Sequence, residues 1–388
     1  MKRSGEVVNI AMGGGGVRGI AYIGAFDVME ERGYIPGNIA GVSAGSMAGA
    51  LAAAGYNAAG MYEAMARFDF TGIQADKLYE KVPAIKRFME YTASHGKDLP
   101  NVLEFLASRL QNGFPENNGR GKPGIIKSLA TLAKEGCLFD GDLLEEWVSK
   151  TLAAKGIRTF GDLRNGKADG RNPGGYKIRM TGVDCNRVKV VVLPDDLAFY
   201  GIDPDKFEVA KAVRISTAVP FAFKPVELVR TEGGKSKVHS LVDGGVLDPF
   251  PGWLLPEEGR ALGYRLNTGE NKLFGIDSPL NIVQNLISSI HDTGAKGKNP
   301  VMNQPAEASQ EGASKTVSPN MPIGEIDAKN IGFLDFDLSE QDKLRLYNSG
   351  KTAAMTLLDS MGKTSRKALS YLPYGYRIGR KWQARLHG

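Results

Sequence analysis

The sequence predicts an α/β fold with a mostly parallel central sheet and helices on both faces. Three observations lead there. Residues 6–12 (EVVNIAM) form a short apolar run, followed directly by a glycine-rich turn and a helix-periodic segment at 19–32. Residues 38–42 repeat the pattern at once, leading into an alanine-rich helix at 45–54. Alternation then resumes between residues 176 and 242, and strand, turn and helix in succession imply parallel strands joined by right-handed crossovers.

Each element has a local reason. The 6–12 run reads as a buried strand, and helix 19–32 stops at Gly33, as helix 45–54 stops at Gly55. From Met61 to about Lys155 the pattern is mostly helical, carrying Met65, Phe68, Phe88, Met89, Phe105 and Leu106, with a Gly/Asn/Pro-rich interruption at 112–124. Residues 176–183 and 188–193 read as strands, 208–219 as a helix stopped by Pro220, and 238–242 as a strand running into Asp243-Gly244-Gly245. A last amphipathic helix is expected at about 339–361.

The chain has 388 residues, enough for one large α/β domain or two smaller ones. Residues 1–290 are expected to form one domain with a helical insertion at about 61–155. A flexible loop or linker rich in Gly, Pro, Ser, Asn and Lys follows at 291–325, then a C-terminal helical segment at 326–362 packing on the main domain, then a tail at 363–388. With 42% hydrophobic and 24% charged residues, the composition argues against a disordered, collagen-like or disulfide-stapled chain. Of the net charge of +6, the excess lies in the tail, where Lys363, Arg366, Lys367, Arg377, Arg380, Lys381 and Arg385 occur with no acidic residue. Tyr371, Tyr374, Tyr376 and Trp382 are interleaved with those cations, a pattern suited to an anionic bilayer interface and equally to a solvated tail or a partner-binding arm. No groove or reading helix upstream supports nucleic acid binding.

Cys137 and Cys185 lack the spacing of a metal or redox site, so no metal is expected and a reducing compartment is the natural reading. The N-terminus carries no signal-peptide core. Residues 33–62 are uncharged and place Gly41, Gly45 and Gly49 at four-residue spacing, but Pro36, Asn38, Ser43, Ser46 and Asn57 break the apolarity a membrane span needs.

Two turns carry chemistry. Gly13–Gly19 (GGGGVRG) sits between a strand and a helix, where adjacent backbone N–H groups and the helix N-terminus converge on an anion. Ile20 and Ala21 follow Gly19 where a P-loop needs Lys and Ser/Thr. A dinucleotide fingerprint formally fits Gly14, Gly16 and Gly19, but the acidic residue it needs after the next strand is missing, so no cofactor is expected. The second turn is Gly41-Val42-Ser43-Ala44-Gly45, a nucleophile-elbow pattern in which Gly41 and Gly45 give room for a sharp bend. If the strands are parallel, both turns open at the same sheet edge, placing a nucleophile beside N–H donors.

Such a serine needs a base. His95, His239, His291 and His387 read as surface or structural histidines, with His239 inside a predicted strand and His387 next to the terminus. Asp243, freed by Gly244 and Gly245, is the alternative. A carboxylate with an ordinary pKa near ~3.9 is a weak base at neutral pH, so Asp243 would have to be desolvated and touching the serine.

Together these motifs resemble the patatin-like phospholipase family: Gly14–Gly19, then Gly41–Gly45, then Asp243–Gly245, with Val213–Val226 similar to the family's segment ahead of the aspartate. Pro249 stands where the family usually has Asn. The resemblance covers about residues 6–255 and implies a three-layer fold and a Ser–Asp dyad. Ser43 would be the nucleophile, Asp243 the proton acceptor, and Gly14, Gly15 and Gly16, with Arg18 beside them, the oxyanion hole. The implied activity is hydrolysis of phospholipid or lysophospholipid esters in the cytoplasm, at the membrane periphery. Acyl transfer by the same acyl-serine, or an esterase switched on by a partner, a ligand or homo-oligomerisation, are the alternatives.

Overall fold

A computed structural model describes residues 5–66, 68, 137, 139–220, 222–268 and 321–361. Most of the expected helical insertion, the linker up to residue 320 and the basic tail lie outside the described residues.

Among the described residues, eight strands form one mixed, mostly parallel sheet: β1 (Glu6–Met12), β2 (Tyr34–Gly41), β3 (Ile178–Asp184), β4 (Lys189–Leu193), β5 (Val226–Glu232), β6 (Lys235–Asp243), β7 (Ala261–Asn267) and β8 (Ile323–Asp327). The spatial order is β5-β6-β3-β2-β1-β7-β8, with β4 also pairing β3. Neighbours from β3 to β8 are parallel, whereas β4 and the β5–β6 hairpin pair antiparallel. The parallel ladder shifts between Val8 and Ile10, opposite Pro36, which has no N–H to give. The Asn9 carboxamide oxygen fills the gap by accepting the Asn38 N–H at 2.9 Å.

The α-helices among the described residues are α1 (Ile20–Glu31), α2 (Ala44–Ala53), α3 (Ala58–Ala66), α4 (Asp142–Ala153), α5 (Val209–Ser216) and α6 (Glu340–Ser360). They pack on one face of the sheet, where Ile10, Met12 and Ile39 meet Phe26, Met47, Leu144, Val213 and Leu357 in the main core. Ala11 and Ala40, pointing the other way by strand alternation, meet Leu254 and Leu255 from a segment containing one short helical turn, Gly252–Leu254. The result is a three-layer α/β fold. Within the described residues, no helix is long and apolar enough to cross a membrane.

Helix α6 lies directly on α1. Gly24 faces the Tyr347 carbonyl and Gly350 the Ala21 carbonyl so closely that neither has room for a Cβ. Tyr347 Oη and Lys351 Nζ reach Asp27 on α1 at 2.6 and 2.8 Å. The C-terminal segment also supplies a strand: Ile323–Asp327, whose first residues were expected in the linker, extends the sheet beside β7. Its short, charge-bearing sequence (IGEID) suits an edge, and only its register with Gly263–Asn267 reveals it.

Candidate active site

The C-terminal ends of β1 and β2 deliver the two turns singled out in the sequence. Ser43 stands between Gly41, the last residue of β2, and Ala44, the first of α2, with φ 53° and ψ −122°. A non-glycine residue held there costs about 1–3 kcal/mol and persists only where its surroundings over-determine it. They do: a Cβ at Gly41 would lie 2.5 Å from the Gly45 carbonyl oxygen, and one at Gly45 would strike the Met12 carbonyl. Ser46 Oγ donates to the Ser43 carbonyl at 2.6 Å, and the Ser43 N–H donates to Ser216 Oγ at 3.0 Å.

At the glycine turn the backbone donors divide. Gly13 N–H is taken by the Tyr264 carbonyl at 3.1 Å, Gly14 N–H by the Pro249 carbonyl at 3.2 Å, and Val17 N–H by the Phe333 carbonyl at 3.2 Å. Gly15 and Gly16 N–H have no acceptor among the described residues. The loop after Asp243 thus captures the Gly14 N–H. Pro249, the departure from the family pattern, makes that capture through its carbonyl. Gly16 has φ 59°, and a Cβ there would run into the Phe333 carbonyl.

Arg18 lies beside the glycine turn. Its buried Nε donates to the Ile331 carbonyl at 2.8 Å, and its guanidinium lies over the Phe333 ring, 5.7 Å from the centroid. Burial pulls its pKa down to about 10, against the attraction of Asp335. Its side chain thus ties the turn to the 331–335 loop and does not border the pocket beside Ser43.

Asp243 ends β6, paired with Gly182 of β3, and is 1% exposed. Its N–H donates to the Ala218 carbonyl at 2.9 Å and its Oδ1 accepts the Gly245 N–H at 2.7 Å. Gly244 packs against Thr181 Oγ1 with no space for a side chain. Oδ2 has no partner in full hydrogen-bond geometry among the described residues, and the neighbouring Ser43 hydroxyl is the other polar group acting on the carboxylate. Burial raises the pKa of Asp243 to about 7, and the Ser43 and Gly245 interactions pull it back only in part.

A small cavity of about 40 Å³ opens beside Ser43 and Gly16. Its walls are almost wholly apolar: Met47 of α2, Leu144 of α4, Val219 and Phe223 after α5, and Phe333 and Leu334 before α6. Phe139, Phe223 and Phe336 stack behind it with ring centroids 5.4–6.1 Å apart. Phe333 and Leu334 went unnoticed in the sequence, since nothing local marks a contact with residues some three hundred positions away. Ser216 was readable only as part of the Val213–Val226 block.

His239 sits away from this pocket. It is 2% exposed, with Nδ1 2.8 Å from Asp184 Oδ2, the same oxygen that accepts the Tyr200 hydroxyl at 2.9 Å. It is a buried structural histidine, as its strand context suggested. The other three histidines lie outside the described residues.

Among curated relatives, this chain is 34% identical over 245 residues to the uncharacterized protein YqhO of Bacillus subtilis, covering 63% of this chain and 65% of that protein. It is 24% identical over 200 residues to the lysophospholipase NTE1 of Scheffersomyces stipitis, covering 46% of this chain and 13% of that protein. The chain thus spans less than two thirds of either relative's length. The crystal structure of VipD from Legionella pneumophila is similar with a TM-score of 0.45 at 18% identity, over 92% of this chain and 67% of that one. The model of the patatin-like phospholipases matches residues 10–254, a span that takes in the glycine turn, the serine elbow and the aspartate strand end together; the chain therefore belongs to that family.

Proposed function

We propose that this protein is a lipid acyl hydrolase that cleaves carboxylic esters of phospholipids or lysophospholipids through Ser43 and Asp243. The observation that carries the reading is a fully buried carboxylate, pushed up to about 7, beside a serine held at positive φ on an apolar pocket. A carboxylate of ordinary acidity would be a poor base near neutral pH; one near 7 accepts a proton and returns it. Asp243 takes the Ser43 hydroxyl proton as Oγ attacks the ester carbonyl, and the negative charge on the carbonyl oxygen falls to the N–H groups of Gly15 and Gly16. Collapse expels the alcohol, which leaves with the proton, and Asp243 then deprotonates the water that releases the fatty acid from Ser43. The walls from Met47 to Leu334 suit an acyl chain.

The test is incubation of wild type and Ser43→Ala with mixed phospholipids, followed by mass spectrometry of released fatty acids and lysolipids. Products are expected from wild type alone; identical profiles would refute the mechanism.

A further inference from the structure

The sheet extends well past the serine. Gly41 of β2 is level with Met180 of β3, yet β3 runs on to Asp184 and turns through Cys185–Val188 into β4. The β5–β6 hairpin reaches further: Lys235 is eight residues from Asp243 along β6, about 25 Å at the usual strand rise of ~3.3 Å. Two hairpin tips therefore project from the sheet edge that carries Ser43. The β3–β4 turn is tied to the middle of β6, since Cys185 N–H donates to the Ser240 carbonyl at 2.9 Å and Ser240 N–H to Asn186 Oδ1 at 2.8 Å.

The tips gather positive charge. The Arg187 and Arg230 guanidiniums both stack on Phe199, with their Cζ atoms 3.8 and 4.0 Å from its centroid. Arg230 is directly opposite Lys237 across the hairpin, and Lys235 lies on the same face, both lysines exposed. Glu232, 2.9 Å from Arg230, offsets one of the four charges. Like charges facing each other across strands destabilise a hairpin, and stacking two guanidiniums on one ring concentrates the charge further. On the reverse face the cross-strand pair Val229 and Val238 is 51% and 46% exposed, and Val188 in the neighbouring turn 62%.

We propose that these paired hairpin tips dock the protein on an anionic phospholipid bilayer, with Arg187, Arg230, Lys235 and Lys237 meeting the headgroups and the exposed valines meeting the interface. The proposal rests on the lipid-hydrolase reading for its orientation: docking by these tips turns the Ser43 edge toward the lipid. Charge complementarity selects the surface, and exposed apolar side chains on the reverse face of the same hairpin favour a bilayer over a purely polar polyanion.

The test uses the full chain carrying Ser43→Ala, so that binding is read without turnover and stands or falls independently of hydrolysis. Co-sedimentation is measured with vesicles of phosphatidylcholine alone and of phosphatidylcholine mixed with phosphatidylglycerol. The mixed vesicles are expected to bind the protein more tightly, and Lys235→Glu with Lys237→Glu to weaken that binding by about tenfold or more. Lys235→Arg with Lys237→Arg is expected to restore it, and an unchanged thermal melt shows that the charge-reversed protein is folded. Undiminished vesicle binding by the charge-reversed protein would overturn the proposal. So would binding that disappears on removal of residues 363–388 while ignoring the hairpin, or retention on duplex oligonucleotide without vesicle binding.

Discussion

The backbone N–H of Ser43 donates to the hydroxyl of Ser216 at 3.0 Å, joining the elbow to the last residue of α5. This bond gives a strained serine a fixed height above the sheet, because an N–H at positive φ has no ladder partner. Ser216→Ala leaves that donor buried and unsatisfied, a cost of about 1–3 kcal/mol. Ester turnover is expected to fall about tenfold in kcat with little change in KM, since the nucleophile is displaced while the apolar pocket is kept. Steady-state kinetics check this; a raised KM at unchanged kcat would assign Ser216 to binding.

The pH dependence follows from Asp243. Its pKa of about 7 means the carboxylate is available as a base only as pH rises through that value, so kcat/KM is expected to drop about tenfold per unit below it. Stability runs the other way. A carboxyl raised above its unfolded value contributes stability fully present below the ordinary carboxylate range and lost as pH climbs through about 7. Asp243→Asn is therefore expected to abolish turnover and raise the melting temperature at pH 8 by a few degrees. Paired pH–rate and pH–melting profiles read both effects.

How much of this was legible depended on whether the requirement was local. Gly41, Ser43 and Gly45 are spaced by the needs of one sharp turn, so the pentapeptide shows itself. Asp243 is marked by the two glycines that let it cap its own turn. The β5–β6 hairpin was half missed: its outward faces carry Glu227, Arg230, Lys235 and Lys237, which mask the alternation, although Gly233-Gly234 is a hairpin turn signal. The direction of the Arg18 side chain was not legible, because a sequence does not say which way a long side chain turns, and here it turns toward Ile331.

His239 offers a control on the base assignment. Its ring is wedged between Phe199 and Tyr200 and bonded to Asp184, which also accepts the N–H groups of Asn186 and Arg187. His239→Ala is expected to cost about 3 kcal/mol of stability through the lost bond and the cavity, yet keep esterase turnover at temperatures where the variant is folded. Chemical denaturation and turnover of a small activated ester measure the two separately. Loss of turnover in His239→Ala together with near-normal turnover in Asp243→Asn would remove Asp243 from the mechanism.

On the proposed function, the pocket wall supplied by the C-terminal segment is expected to make acyl preference adjustable from far along the chain. Phe333 lines the cavity with its side chain, accepts the Val17 N–H through its carbonyl and lies beneath the Arg18 guanidinium, so it links pocket size to the glycine turn. Phe333→Ala removes the ring and keeps the carbonyl, enlarging a cavity of only about 40 Å³ without touching the donor arrangement. The loss of packing is expected to cost about 3–5 kcal/mol. The ratio of kcat/KM for long over short acyl esters is expected to rise about tenfold, the scale of one or two methylene groups in an apolar site. A chain-length series with Phe333→Leu as the milder partner separates the two effects: preference should shift in graded order with side-chain volume. A uniform loss across all chain lengths would instead make Phe333 a support for the glycine turn with no part in acyl selection.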